Sequence, residues 1–274
     1  MANTFKIGDL DVLVVSDGFA KVPVTVYYAG TTPEQWEPHK RWLDHQGNLE
    51  FPFACFLVRS GDRRLLIDTG LGSAQLWQFR GGALMGELAA AGVRPEEIDV
   101  VFVTHLHVDH CGTCTLEHGG ALTPAFPKAV YRWTSEEQIY WQTAPQPPGT
   151  SFSVRAMLEA LSGRFEAADD GAALAPGVTI VATPGHTPGH AGVVLSSGGE
   201  RAFILGDVLS CPAQLEEPEW SGLGDMDPKL ASRTREAVAR EIEGSDALLA
   251  TAHFPGLTFG RVLKGEGRPY WQPL

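Results

Sequence analysis

Thr104-His105-Leu106-His107-Val108-Asp109-His110 carries three imidazoles and a carboxylate in one short run. Imidazole nitrogen and carboxylate oxygen are the usual ligands of zinc and similar first-row metals. If the run leaves a strand, His105 and His107 point the same way, because strand side chains alternate with period two. Asp109 and His110 then follow on the turn and can face a second metal beside the first. Further along stand His186, in Thr183-Pro184-Gly185-His186-Thr187-Pro188-Gly189-His190, then Asp207 after Gly206, and His253 after Ala252. A lone histidine is more often a hydrogen-bonded core residue, and an isolated Asp207 or His253 could serve a turn or a cap. Taken with the H-x-H-x-D-H run, the ligand readings support one another: five of the nine histidines fall in this set.

Such a set needs strands that end together. The apolar, β-branched stretch 99–103 before the cluster reads as a buried strand. His186, Asp207 and His253 each stand just past a similar stretch, at 178–182, 202–205 and 247–251, the last expected to be the final strand. Upstream, Phe5 to Ile7, a Gly8-Asp9 turn and Leu10 to Ser16 predict a hairpin. Residues 53–59 and 64–67 predict two strands, the second ending at Asp68-Thr69-Gly70; 130–133 and 191–196 predict two more. Helical segments are expected at 81–92, 135–141 (capped by Thr134 or Ser135), 151–162 and 228–243, with a helical turn at 95–97 and a loop at 145–149. Strands followed by helices, twice over, suggest two sheets packed face to face with helices outside. The chain is read as one domain over 1–274 with two similar halves, about 1–145 and 170–274.

The bulk properties narrow the partners. The chain has 274 residues, 43% hydrophobic and 20% charged, which suits a globular domain with a sizeable core. Its formal net charge of −12 makes nucleic acid an unfavourable partner. No signal-peptide pattern opens Met1-Ala2-Asn3-Thr4-Phe5-Lys6, and no apolar run has the length to span a bilayer, so no membrane association and a cytoplasmic location are expected. Cys111 and Cys114 form a C-x-x-C without a second pair, and with Cys55 and Cys211 they are read as buried reduced thiols. His39, His45 and His118 are read as surface residues, and His190 as a supporting or structural one. Residues 20–50, with Tyr27, Tyr28, Trp36 and Trp42, could cover a pocket, bind a second subunit or pack on themselves. Leu76, Trp77, Phe79 and Met85, with Tyr27, Tyr28 or Phe254, could form an apolar pocket wall.

Asp68-Thr69-Gly70, Thr104 to His110, Gly185-His186, Gly206-Asp207 and Ala252-His253, in that order, resemble the metallo-β-lactamase-fold hydrolases over nearly the whole chain. The resemblance implies an α/β fold, a four-layer αββα sandwich of two mixed β-sheets with outer helices. It implies that His105, His107 and His186 hold one metal and Asp109, His110 and His253 the other. Asp207 would bridge them, and Asp68 would orient the ligand loop. Two zinc ions are the implied cofactors, with iron, manganese or cobalt as alternatives. The Thr-Pro-Gly-His-Thr-Pro-Gly-His run and the bridging Asp207 resemble the branch of N-acyl-homoserine lactone lactonases and methyl parathion hydrolase more than true β-lactamases. In that branch a tyrosine or histidine often stands three residues after the bridging aspartate and contacts the substrate carbonyl. Here that position is Ser210, whose short stem reaches less far.

The expectation is therefore a dinuclear-metal hydrolase of a small lactone or ester. Two divalent ions can share a water and lower its pKa to roughly 7, supplying a bridging hydroxide. Asp109 is expected to shuttle the proton to the leaving group, and Ser210 to lend a weak hydrogen bond. Organophosphate triesters, β-lactams and thioesters are the alternative substrates for the same site. A mononuclear iron dioxygenase acting on persulfides is a rival of another class, and a non-catalytic binding protein a third. The expected partner is a small molecule; a homodimer is left open.

Overall fold

The computed structural model describes residues 3–146 and 149–274. Met1, Ala2, Pro147 and Pro148, which the N-terminal and 145–149 readings include, lie outside them. In chain order the strands of the first half are β1 (Asn3–Ile7), β2 (Leu10–Pro23), β3 (Asn48–Ser60), β4 (Arg63–Ile67), β5 (Val100–Phe102), β6 (Thr115–His118), β7 (Ala121–Pro124), β8 (Val130–Trp133) and β9 (Phe165–Ala167). Those of the second are β10 (Ala173–Ala175), β11 (Val178–Ala182), β12 (Ala191–Ser197), β13 (Glu200–Ile204), β14 (Leu248–Ala250), β15 (Gly260–Lys264) and β16 (Pro269–Pro273). The helices are α1 (Val24–Tyr27), α2 (Leu84–Ala90), α3 (Val108–Cys111), α4 (Ser135–Thr143), α5 (Val154–Leu161), α6 (Ala213–Glu216) and α7 (Pro228–Ile242).

Two seven-stranded mixed sheets result, ordered β1-β2-β3-β4-β5-β8-β9 and β10-β11-β12-β13-β14-β15-β16, with β6-β7 a separate hairpin. Alternation along the central strands explains the layers. Phe56 and Val58, Leu65 and Ile67, Val100 and Phe102 face the second sheet, where they meet Ile180, Val193, Leu195, Ala202 and Ile204. The intervening Cys55, Leu57, Leu66 and Val101 face outward and are covered by Leu84 and Leu88 of α2, Trp141 of α4 and Met157 and Leu161 of α5. Phe203 and Leu249 of the second sheet are covered likewise by Leu215 of α6 and Ala239 and Ile242 of α7. Burial on both faces is why these strands read as unbroken apolar runs. The architecture is the four-layer α/β sandwich that the sequence implied.

Three readings change. The stretch near 248–250 is not the last strand: β15 and β16 continue the sheet antiparallel beyond β14. Only Trp271 of β16 is buried, so this prolines-flanked edge strand carries little apolar signal. The short β6-β7 hairpin is largely exposed and equally silent. His39 is buried rather than at the surface: the 3-10 helix Pro33–Trp42 lays residues 20–50 against the body of the chain, with Trp36 4.6 Å and His39 5.3 Å from Trp220, ring to ring. His45 and His118 are exposed. The helix read at 135–141 runs to Thr143 and is capped by Thr134, whose side chain accepts from Glu137 N. Among the described residues no helix is long and apolar enough to cross a membrane.

Candidate metal centre

Parallel pairing puts the ligand-bearing segments side by side. β4 and β5 run parallel with Ile67 opposite Phe102, so Asp68 lies beside the chain entering the H-x-H-x-D-H run. β13 and β14 run parallel with Ile204 opposite Ala250, so Asp207 and His253 each lie three residues past a matched pair. His186 sits in the turn joining β11 to β12, whose last pair is Ala182 with Ala191. That turn is tied to the first sheet by Ala191 N donating to Thr104 O (3.0 Å). His107 caps α3, which carries Asp109 and His110. Gly206 has φ +47°, and a Cβ there would stand 2.7 Å from Thr104 Oγ1 and 2.9 Å from His190 Nε2, so only glycine lets the strand end turn toward the cluster.

All seven candidate ligands converge. The donor atoms of His105, His107 and His186 lie within 4.8 Å of one another, as do those of Asp109, His110 and His253, and those of His105, His110 and Asp207. Asp207 stands between the two triads: Oδ1 is 3.2 Å from His110 Nε2 and 3.1 Å from His253 Nε2, while Oδ2 is 3.3 Å from His186 Nε2. Asp109 Oδ2 is 3.7 Å from His253 Nε2, with the Asp109 side chain partly exposed.

The outer hydrogen bonds set which ring nitrogen faces inward. Asp68 Oδ2 accepts from His110 Nδ1 (2.9 Å), Asp225 Oδ1 from His186 Nδ1 (3.0 Å), and Pro52 O from His253 Nδ1 (2.9 Å). The Thr104 hydroxyl donates to Asp68 and so accepts from His105 Nδ1 (3.2 Å). Four Nε2 lone pairs are thus aimed at the centre. His105 Nε2 and His186 Nε2 lie 3.0 and 2.9 Å from His107 Nδ1, a cluster in which one proton cannot satisfy three nitrogens. Among the described residues, His110 Nε2 and Asp207 Oδ1 are buried and, close as their neighbours are, have no partner in hydrogen-bond geometry. Lone pairs facing lone pairs and a carboxylate are unfavourable with protons alone, and divalent cations satisfy all of them. The residues therefore fit a metal pair.

Protons and cations compete for these atoms, because the carboxylates that would draw in a cation also favour protonated imidazoles. Burial opposes ionisation of Asp207, yet His253, His110 and His186 hold its carboxyl well below the usual range. Burial also opposes the protonation of His110, but Asp207, Asp68 and Asp109 outweigh it and raise its pKa well above the ordinary value. Burial and the neighbouring imidazoles push His105 and His107 well below theirs, so both are neutral imidazoles. His190 acts behind the cluster: its Nε2 accepts from Asp207 N (3.0 Å), with Thr183 Oγ1 on Nδ1 (2.8 Å), and burial takes its pKa down to about 3. The four cysteines are buried and unbridged; burial takes Cys114 up to about 12.

A cavity of about 390 Å³ opens over the cluster. Leu76, Trp77, Phe79 and Tyr27 line it as expected, joined by Val22, Val26, Phe51, Phe53 and Leu223. Met85 packs instead beneath the first sheet, Tyr28 against Trp36, and Phe254 against Trp271. Ser210 lies behind this wall and accepts a hydrogen bond from Tyr27 OH (3.0 Å). Burial and the nearby Asp207 keep the Tyr27 phenol far above its ordinary pKa, so it is a donor. Two supports were not legible in the sequence. Glu137 of α4 accepts from Leu106 N (3.0 Å), Gly189 N (3.2 Å), Trp141 Nε1 and the Thr187 hydroxyl, pinning both ligand loops. Asp225 follows no strand and shows no motif.

The family model described as the metallo-beta-lactamase superfamily matches residues 51–253. The N-acyl homoserine lactonase AiiA of Bacillus thuringiensis subsp. kurstaki is 24% identical over 217 residues, covering 70% of this chain and 79% of the relative. The human metallo-beta-lactamase domain-containing protein 1 is 28% identical over 176 residues, covering 64% of this chain and 53% of the relative. Among solved structures, the dizinc quorum-quenching lactonase AidC superposes with a TM-score of 0.88 at 21% identity, covering 100% of this chain and 97% of that one. The hydrolase AbOPH superposes at 0.85 with 25% identity and the same coverage.

Proposed function

We propose, from the premise that this chain belongs to the metallo-beta-lactamase superfamily and is a metal-dependent hydrolase, that it cleaves an uncharged lactone or ester at a dinuclear centre. The observation that carries the reading is the pairing of inward-facing lone pairs with a cavity wall that, among the described residues, holds no lysine or arginine. Among the described residues the carboxylates lining that cavity are Asp109 and Asp207, acids of the centre itself. An anionic group held away from the two cations would be desolvated against apolar rings with no counter-charge on that part of the wall, a cost that a neutral ester avoids. This disfavours β-lactams, which carry a carboxylate, and acidic thioesters. The lactonase relatives support the same choice.

His105, His107 and His186 would hold one cation, Asp109, His110 and His253 the other, with Asp207 shared. When bound, the pair supplies an activated water and polarises the substrate carbonyl. The chain's own residues do the rest. Asp109, at the mouth of the centre, has a carboxylate oxygen to carry a proton to the leaving alkoxide. The Tyr27 hydroxyl, which unlike Ser210 belongs to a cavity-lining residue, can turn from Ser210 to donate to the substrate carbonyl. Phe51, Phe53, Leu76 and Phe79 receive the apolar part of the substrate and exclude water.

The test is a panel of lactones, aryl esters, phosphotriesters, acidic thioesters and β-lactams on zinc-loaded enzyme, with metal counted per chain. Two zinc ions and turnover confined to uncharged esters or lactones are expected; a phosphotriester preference would change the substrate class. His107→Ala and Asp207→Ala should each lose metal and hydrolysis while the fold persists. Full activity and metal content in either variant, or one iron per chain, would refute the assignment.

A further inference from the structure

Helix α7 reaches the centre through a buried chain of polar contacts. Arg235 is 1% exposed and donates from Nη1 to Asp225 Oδ2 (3.1 Å) and from Nε to Pro218 O (2.8 Å). Asp225 Oδ2 also accepts from Ser221 Oγ (3.0 Å) and Gly222 N (3.3 Å), leaving Oδ1 for His186 Nδ1. The same stretch is wrapped around the His186 turn: Met226 N donates to His186 O and Asp227 N to Gly185 O. From α7 itself, Thr234 Oγ1 donates to Pro184 O (2.6 Å). Leu223 and Gly224 of this stretch line the substrate cavity, and Gly222 packs on the Tyr27 ring. A Cβ at Gly224 would stand 2.4 Å from His186 Cε1, so ligand and wall are in contact.

We propose that Asp225, held by Arg235, is a positioning residue for His186, and that the 221–225 segment thereby couples one metal position to the shape of the substrate cavity. The inference rests on the two-cation reading above. Its chemistry is directional. Arg235 Nη1 and Gly222 N are donors only, so Oδ2 must be an acceptor, and the other oxygen must accept from the imidazole. Asp225→Asn keeps the shape but carries an amide NH2. Facing Arg235 and Gly222, that NH2 meets two donors; turned the other way, it meets His186 Nδ1–H. The second arrangement drives the imidazole proton to Nε2, the atom aimed at the metal. Arg235→Met keeps the buried stem and removes the donor that orients Asp225.

The decisive measurement is a stepwise zinc titration against a chromophoric chelator for wild type, Asp225→Asn and Arg235→Met, with apo-protein melting in excess chelator as the folding control. His186 contributes to only one of the two triads outside Asp207. One zinc step should weaken about tenfold or more while the other stays within twofold, the range seen when outer partners of ligands are lost. KM should rise more for a long-chain ester than for an acetyl ester, because Leu223 and Gly224 are released with the ligand. Two unchanged steps, or two steps weakened alike, would overturn the proposal. Should Arg235→Met fail to fold, Asp225→Asn decides alone. The titration needs no substrate, so wild type that binds two zinc ions yet hydrolyses nothing on the panel refutes the proposed function and leaves this inference standing.

Discussion

Asp68→Asn tests how firmly the centre depends on an imidazole tautomer. Asp68 is 1% exposed, has φ +59°, accepts from Thr104 N (2.8 Å) and the Thr104 hydroxyl, and receives His110 Nδ1–H at 2.9 Å. Asparagine tolerates the left-handed backbone about as well as aspartate, so the substitution isolates the side-chain chemistry. With Oδ1 retained for Thr104 N, the new NH2 points a donor at a donor. His110 must then move its proton to Nε2, where the lone pair faced Asp207, or lose the bond. A buried bond to a charged group is worth about 1.5–3 kcal/mol, or roughly tenfold to hundredfold in cation affinity. Losses measured for outer-shell partners of metal ligands fall in the same window of about 10–100-fold. The assay pairs zinc competition with nitrogen-15 NMR of the imidazoles, which reports the tautomer directly. Zinc affinity within twofold of wild type, or a His110 ring still protonated at Nδ1, would refute the reasoning.

Two further outcomes are expected at the cavity. Tyr27→Phe keeps ring packing on Phe51 (4.4 Å between centroids) and removes only the hydroxyl, so kcat/KM should fall about tenfold, one neutral hydrogen bond's worth, at unchanged zinc content; unchanged turnover would make the hydroxyl purely structural. Phe79→Ala removes a ring set 5.6 Å from Phe53 and 6.0 Å from Trp77. About 50 Å² of lost apolar contact at ~25 cal/mol per Å² is near 1.2 kcal/mol, so a long acyl ester should lose about eightfold in kcat/KM while an acetyl ester changes little. Equal losses for both esters would place the acyl chain elsewhere.

The candidate ligands that converge were legible in the sequence because their signals are local. Imidazoles two residues apart after an apolar strand need no tertiary information to be recognised, and strands buried on both faces announce themselves as apolar runs such as Val100 to Val103. The same logic failed where burial is one-sided, as at β15 and β16, or where polar residues are buried by distant partners, as with His39 under Trp220.

What the chain order alone determined, then, is which atoms could bind a metal and in which elements they stand. Only the tertiary structure decided which nitrogen of His110, His186 and His253 faces inward, since that follows from Asp68, Asp225 and Pro52, residues 42, 39 and 201 positions from the imidazoles they hold. Only the parallel register of β13 and β14 brought Asp207 level with His253, and only the folding back of residues 20–50 set the Tyr27 hydroxyl on Ser210, 183 positions away. Periodicity encodes which face of an element is buried; it does not encode the long-range hydrogen-bond partners that aim a ligand once it is there.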